Sequence, residues 1–113
     1  MPTVTIMAIF HRKQGLTHEA FRAYYEANHV PLVRELLPRF DGYRRYYVSD
    51  AGMRELVGHD VVTLASFDSF EAFEAVQHAM GRPEIADRIA ADEARFIDRD
   101  KTLTFAVEAL ESL

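Results

Sequence analysis

The sequence predicts an α+β fold of the ferredoxin-like βαββαβ type, in which two helical segments pack on a four-stranded antiparallel sheet. Three observations predict it. Four short runs rich in β-branched and aromatic residues occupy 3–11, 43–48, 60–67 and 102–107. Two longer stretches between the first and second runs, and between the third and fourth, carry apolar residues near a 3.6-residue period. The first and third runs are apolar in both alternating phases, so both faces of the sheet need cover. Two helices cover only one face. The other would expose Met7 or Phe10, Val61 or Val62, and Leu103 or Thr104. Apolar patches of that size rarely stay in water, and a two-fold pairing buries the same patch twice. The expectation is a homodimer packed sheet to sheet. Its ligand pocket would lie between the sheets or between sheet and helix.

In chain order, Thr3 to His11 reads as a strand with Val4, Ile6, Ala8 and Phe10 on one face and Met7 and Ile9 on the other. Arg12 to Gly15 is a polar turn. Thr17 is a good N-cap for the first helix, Glu19 suits its positive end, and Leu16 can staple onto Phe21. That helix runs to about Leu37, with apolar and aromatic residues at Phe21, Tyr24, Tyr25, His29, Leu32, Val33 and Leu36. Pro31 lies inside the pattern. It lacks an N–H and its ring pushes on the carbonyl of Ala27, so the helix kinks there or restarts with Pro31 in its first turn. His29, two residues earlier and flanked by tyrosines, stands beside that unpaired carbonyl.

Pro38 to Gly42 stops the helix. Tyr43 to Val48 is the second strand, with Tyr43, Arg45 and Tyr47 on one face. Ser49 to Gly58 is a polar loop expected to be mobile, and Asp60 to Phe67 is the third strand. Asp68 or Ser69 caps the second helix, with Glu71 placed for a capping box from Asp68. Phe70, Ala72, Phe73, Val76 and Ala79 form its apolar stripe. Gly81 interrupts it, and Pro83 starts a further piece with Ile85, Ile89, Ala90 and Phe96 facing inward. Ile97 to Lys101 is a charged connection, Thr102 to Val107 the fourth strand, and Glu108 to Leu113 a short tail.

A chain of 113 residues is one domain, 1–113, long enough to bury a core without staples. The absence of cysteine excludes a disulfide scaffold, a thiol nucleophile and a cysteine zinc site. No run approaches the length of a membrane span, and the start carries no signal-peptide pattern, so a cytoplasmic location is expected. The net charge of −5 and the lack of a basic run argue against nucleic-acid or anionic-membrane binding. Glu26-x-x-His29 has the spacing of carboxylate-bridged di-iron bundles, but those need two copies and two further glutamates. No metal is therefore expected. No phosphate loop, dinucleotide fingerprint or serine elbow is present.

The run Phe21-Arg22-Ala23-Tyr24-Tyr25-Glu26-Ala27-Asn28-His29-Val30-Pro31-Leu32-Val33 resembles the first-helix signature of EthD-type proteins, a dimeric α+β barrel group named for ethyl tert-butyl ether degradation. Gly42-Tyr43, His59-Asp60, the Phe67 to Phe73 run and Asp92-Glu93-Ala94-Arg95-Phe96-Ile97-Asp98 are similar to it in order and spacing. The likeness covers roughly residues 3 to 107. One departure is Ser66, where the pattern has an aromatic, and it bears on a pocket wall. The resemblance implies a small, cofactor-free, homodimeric barrel, similar to muconolactone isomerases, polyketide cyclases and cofactor-less monooxygenases, in a group often attached to oxidative degradation.

His29 matches the helix signature and is the candidate catalytic residue, since an imidazole takes and returns a proton near neutral pH. Tyr24 and Tyr25 are candidate donors to a substrate oxygen, or else core. Tyr47 and Arg45, with Tyr43, make either an aromatic pocket with one anion anchor or a solvated or interfacial face. Asp60 either orients an imidazole or base or ends a strand. Two functions follow. The first is a cofactor-independent enzyme that isomerises, cyclises or deprotonates a small hydrophobic, oxygenated substrate before oxidation. The second is a non-catalytic binding or accessory protein for a hydrophobic metabolite or a partner oxygenase.

Overall fold

The computed structural model describes residues 3–49, 58–110 and 112. The 49–58 loop therefore lies, but for its two ends, outside the described residues, as do Met1, Pro2 and two residues of the tail. The strands are β1 (Val4–Phe10), β2 (Gly42–Tyr47), β3 (Val61–Phe67) and β4 (Leu103–Val107). The helices are α1 (His18–Tyr24), α2 (Val30–Leu36), α3 (Phe70–Met80) and α4 (Pro83–Glu93), and a π-helical turn, Tyr25–His29, joins α1 to α2. The strands form one antiparallel sheet in the order β2-β3-β1-β4, as the ferredoxin-like expectation requires.

Local chemistry explains most boundaries. The Thr17 hydroxyl accepts from Ala20 N at 3.0 Å and caps α1. Thr17→Ala is expected to cost about 1 kcal/mol in urea unfolding, the usual loss for such a cap. Leu37 and Arg82, each directly before a proline, are extended, which ends α2 and separates α3 from α4. Gly81 keeps right-handed helical angles, so the break expected at Gly81 is made by Pro83 instead. Of the two cap candidates for α3, Ser69 does the work by accepting from Ala72 N. The Asp68 capping box does not form, because Asp68 N donates to the Asp41 carboxylate. Phe70 is 52% exposed rather than part of the stripe. At 3.6 residues per turn it sits about 120° from Val76 and about 180° from Ala79.

The register assigns the two sheet faces. Phe10, Ala8, Ile6 and Val4 pair with Val61, Thr63, Ala65 and Phe67, and the last strand residues meet Tyr47, Arg45 and Tyr43 across β3. This face lies under the helices, where Phe10, Phe21, Tyr25, Val61 and Phe96 form one buried cluster. Ile97, expected in a charged connection, joins that cluster and bridges to Arg12. The opposite face carries Met7, Ile9, Val62 and Leu64, with Tyr46, Leu103 and Phe105 at 43–51% exposure. Among the described residues no helix covers it. Ser66 pairs with Thr5 and Gly42 on this open face, and a side chain at Gly42 would run into the Ser66 hydroxyl. The departure at Ser66 thus bears on the open face, not on the space under the helices. No described helix is long and apolar enough to cross a membrane.

Candidate functional site

Pro31 shapes the first cluster. Its nitrogen cannot continue the helical ladder, and the chain widens by one residue just before it: Val30 N–H donates to Tyr25 O, five residues back. Such widened turns recur at functional sites. His29 closes this turn at 3% exposure, its ring 5.5 Å from Tyr25 and 5.0 Å from Phe96. Its Nδ1 lies 2.8 Å from Asp92 Oδ2, near the end of α4. The other oxygen of Asp92 accepts from the Tyr24 hydroxyl at 2.6 Å. A carboxylate can only accept, so Nδ1 carries a proton, and in the neutral ring the lone pair then sits on Nε2. Nε2 has no hydrogen-bond partner among the described residues. Burial, then the bond to Asp92, raises the Tyr24 phenol. Burial likewise raises the Glu93 carboxyl, with His29 and Arg99 pulling the other way.

A second cluster joins the π-turn to β2. Arg45 grips Glu26 through Nε (2.9 Å) and a terminal nitrogen (2.6 Å), and the Tyr47 hydroxyl donates to the same carboxylate at 2.6 Å. The Arg45 fork holds the Glu26 carboxyl below its ordinary range. Burial, then Glu26, raises the Tyr47 phenol. Arg45, the expected anion anchor, is therefore already committed to Glu26.

Tyr25 and Asp60 hold the frame. Tyr25 is 1% exposed, and its hydroxyl meets Thr63 at 2.8 Å and Tyr43 at 3.4 Å. Burial pushes its phenol well up. Asp60 is fully buried. It accepts from Arg12 N and the Arg12 guanidinium at 2.8 Å each and from His18 Nδ1 at 2.7 Å. Burial alone would raise its carboxyl, but the bonds from His18 and Arg12 outweigh that and lower it. The imidazole bonded to Asp60 is that of His18; the carboxylate on His29 is Asp92.

Three clefts lie along β2 and its junctions with the helices, two of them beside the Glu26 cluster. One of about 580 Å³ runs between α1 and the end of β2, lined by Arg22, Ala23, Glu26, Tyr47 and Val48. Another of about 430 Å³ continues along β2 past Tyr43 and Tyr46. A third, of about 500 Å³, sits where α2 meets β2. His29 lines none of them. Among the described residues no three His, Cys, Asp or Glu side chains cluster to hold a metal. Sequence reasoning gave no role to Asp92, although it stands in the run quoted above. Nor did it single out Arg22, His18 or Thr63, and no spacing rule would have joined them to their partners.

Comparison with known proteins follows the same lines. The family model described as the EthD domain matches residues 13–100. No curated protein matches the sequence. Among solved structures, an ethyl tert-butyl ether degradation family protein from Bacillus halodurans superposes with a TM-score of 0.68 at 19% identity, covering 96% of this chain and 100% of that one. SnoaB, a cofactor-independent oxygenase from Streptomyces nogalater, gives 0.64 at 15% identity over 100% and 98%. A dimeric ferredoxin-like protein of unknown function from Bacteroides fragilis gives 0.53 at 12% identity over 95% and 96%. At these identities the likenesses speak for the fold.

Proposed function

The chain belongs to the EthD domain family, and from that premise we propose that it is a small enzyme, working without a cofactor, that moves a proton on a small hydrophobic, oxygenated substrate. One observation carries the reading: a buried imidazole whose Nδ1 is held by Asp92 at 2.8 Å while its Nε2 has no hydrogen-bond partner among the described residues. Nε2 accepts the substrate proton, Asp92 stabilises the imidazolium, and the proton returns to another substrate atom. This gives isomerisation or cyclisation, or leaves an anion ready for oxidation. Tyr24 fixes the Asp92 carboxylate, Arg45 and Tyr47 hold Glu26 of the same π-turn against β2, and Tyr25 and Asp60 keep the surrounding frame. Incubation with a panel of small lactones, phenols and quinones, followed by product analysis, tests the reading. Catalysed conversion of one class supports it.

A second reading is favoured by a different observation. His29 is 3% exposed and lines none of the clefts described. On that reading the chain binds a hydrophobic metabolite, or supports a partner oxygenase, and converts nothing. Saturable binding from the same panel without product is its signature.

Two copies pairing through the open sheet face complete the proposal. The apolar face bearing Met7, Ile9, Leu64 and Phe105 supports it, as does the dimeric state of the Bacteroides fragilis relative of like fold. Phe105→Asp places a charge on that face, on the edge strand β4 beside Met7. Analytical ultracentrifugation is expected to show wild type as a dimer and Phe105→Asp as a monomer; a monomeric wild type overturns this pairing.

A further inference from the structure

We propose that the cleft between α1 and the end of β2 binds the carboxylate of a singly charged aromatic or short-chain organic acid, with Arg22 as its anchor. This goes beyond the proton-transfer reading and does not depend on it.

Arg12, Arg45 and Arg82 each meet a carboxylate within 2.8 Å. Arg22 has no ion pair or hydrogen bond among the described residues. What it has is the ring of Tyr47, 4.9 Å from the guanidinium carbon to the ring centroid. A guanidinium held over a ring face still has N–H donors to offer an acceptor. The ring contact also restrains the side chain, so less side-chain entropy is lost when a carboxylate docks on two of the donors.

Glu26, one turn further along the helix, is near enough for Arg22 to stabilise its charge. It does not quench Arg22, because its carboxylate already takes two bonds from Arg45 and one from Tyr47. The cleft has room for a small molecule, and Ala23, Val48 and the Tyr47 ring offer apolar contact to the body of an acid. Two carboxylates limit the ligand's charge. Glu19 and Glu26 line the same cleft. They oppose a second negative charge, so a monocarboxylate fits where a phosphate monoester or dicarboxylate is repelled.

Titration calorimetry of the full chain with benzoate, hexanoate, benzyl alcohol and phenyl phosphate tests this. Saturable binding of benzoate or hexanoate, weakened by added salt, is expected. Benzyl alcohol and phenyl phosphate are expected to bind at least about tenfold more weakly. Arg22→Gln is expected to lose at least about tenfold in carboxylate affinity with an unchanged melting temperature, because the side chain is exposed. His29→Gln is expected to bind the acid as wild type does, which separates this site from the proton-transfer reading. No saturable binding of either acid up to about 10 mM, equal binding of benzyl alcohol, or an Arg22→Gln protein that binds like wild type overturns the proposal. Tighter binding of phenyl phosphate overturns the single-charge limit.

Discussion

His29→Gln is expected to lower turnover by about a hundredfold to ten-thousandfold, the range a positioned proton-transfer group supplies. The amide fills much of the imidazole's space and can donate to Asp92, but it offers no basic lone pair. The phenol and carboxylate around it stay paired through the 2.6 Å bond from Tyr24 to Asp92. Asp92→Asn is expected to cost less than His29→Gln, because the base survives while the charge that stabilises its protonated form is lost. Product formation per folded molecule, with melting curves on the same samples, checks both. Full activity in His29→Gln removes the catalytic role. Full activity in Asp92→Asn alone removes the proposed pairing of roles.

The largest loss of stability is expected at Asp60. Its carboxylate is fully buried and binds Arg12 twice and His18 once, while the backbone around it ties β3 to both neighbouring strands through Asp60 N to Phe10 O and Val48 N to Asp60 O. Asp60→Ala leaves the buried His18 imidazole and the Arg12 backbone N–H without their acceptor. Removing one member of such a buried set costs about 3–5 kcal/mol. The pH dependence follows from the lowered Asp60 carboxyl. Between its folded pKa and the unfolded value of about 3.9, the unfolded chain holds the extra proton, so stability rises with pH. The contribution is complete above the unfolded value and is lost as the pH falls through the folded one. Urea unfolding from neutral to acidic pH is expected to show wild type losing this increment and Asp60→Ala not having it to lose. A cost below about 1 kcal/mol at neutral pH would mean that the network stabilises little, as in a surface pair.

The pairs that carry both predictions show where a sequence stops being readable. Strand parity was legible: Tyr43, Arg45 and Tyr47 do share one face, and Val4, Ile6, Ala8 and Phe10 share another. Which of the two apolar faces the helices cover was not, since both phases of β1 are greasy. His29 was legible as a residue beside a proline-broken turn, but the sequence allowed a kink or a restart, and the chain formed a π-turn leading into α2. Tyr25 was a candidate donor to substrate and is a core phenol bonded to Thr63. Arg45 was a candidate anion anchor and is taken by Glu26, while Arg22, over the Tyr47 ring, has no ion pair among the described residues.

Element order, helix caps, the proline-made breaks and the alternation along each strand were determined by the sequence itself, because each depends on forces acting within a few residues: a fixed φ, a missing N–H, a hydroxyl reaching back to an amide. The acid–base partnerships were decided only by the tertiary structure. His29 meets Asp92 across 63 positions and His18 meets Asp60 across 42. Whether such groups face each other depends on the one-residue phase shift of the π-turn and on how α1 and α4 lie against the sheet, which packing of the whole core sets and no local pattern encodes.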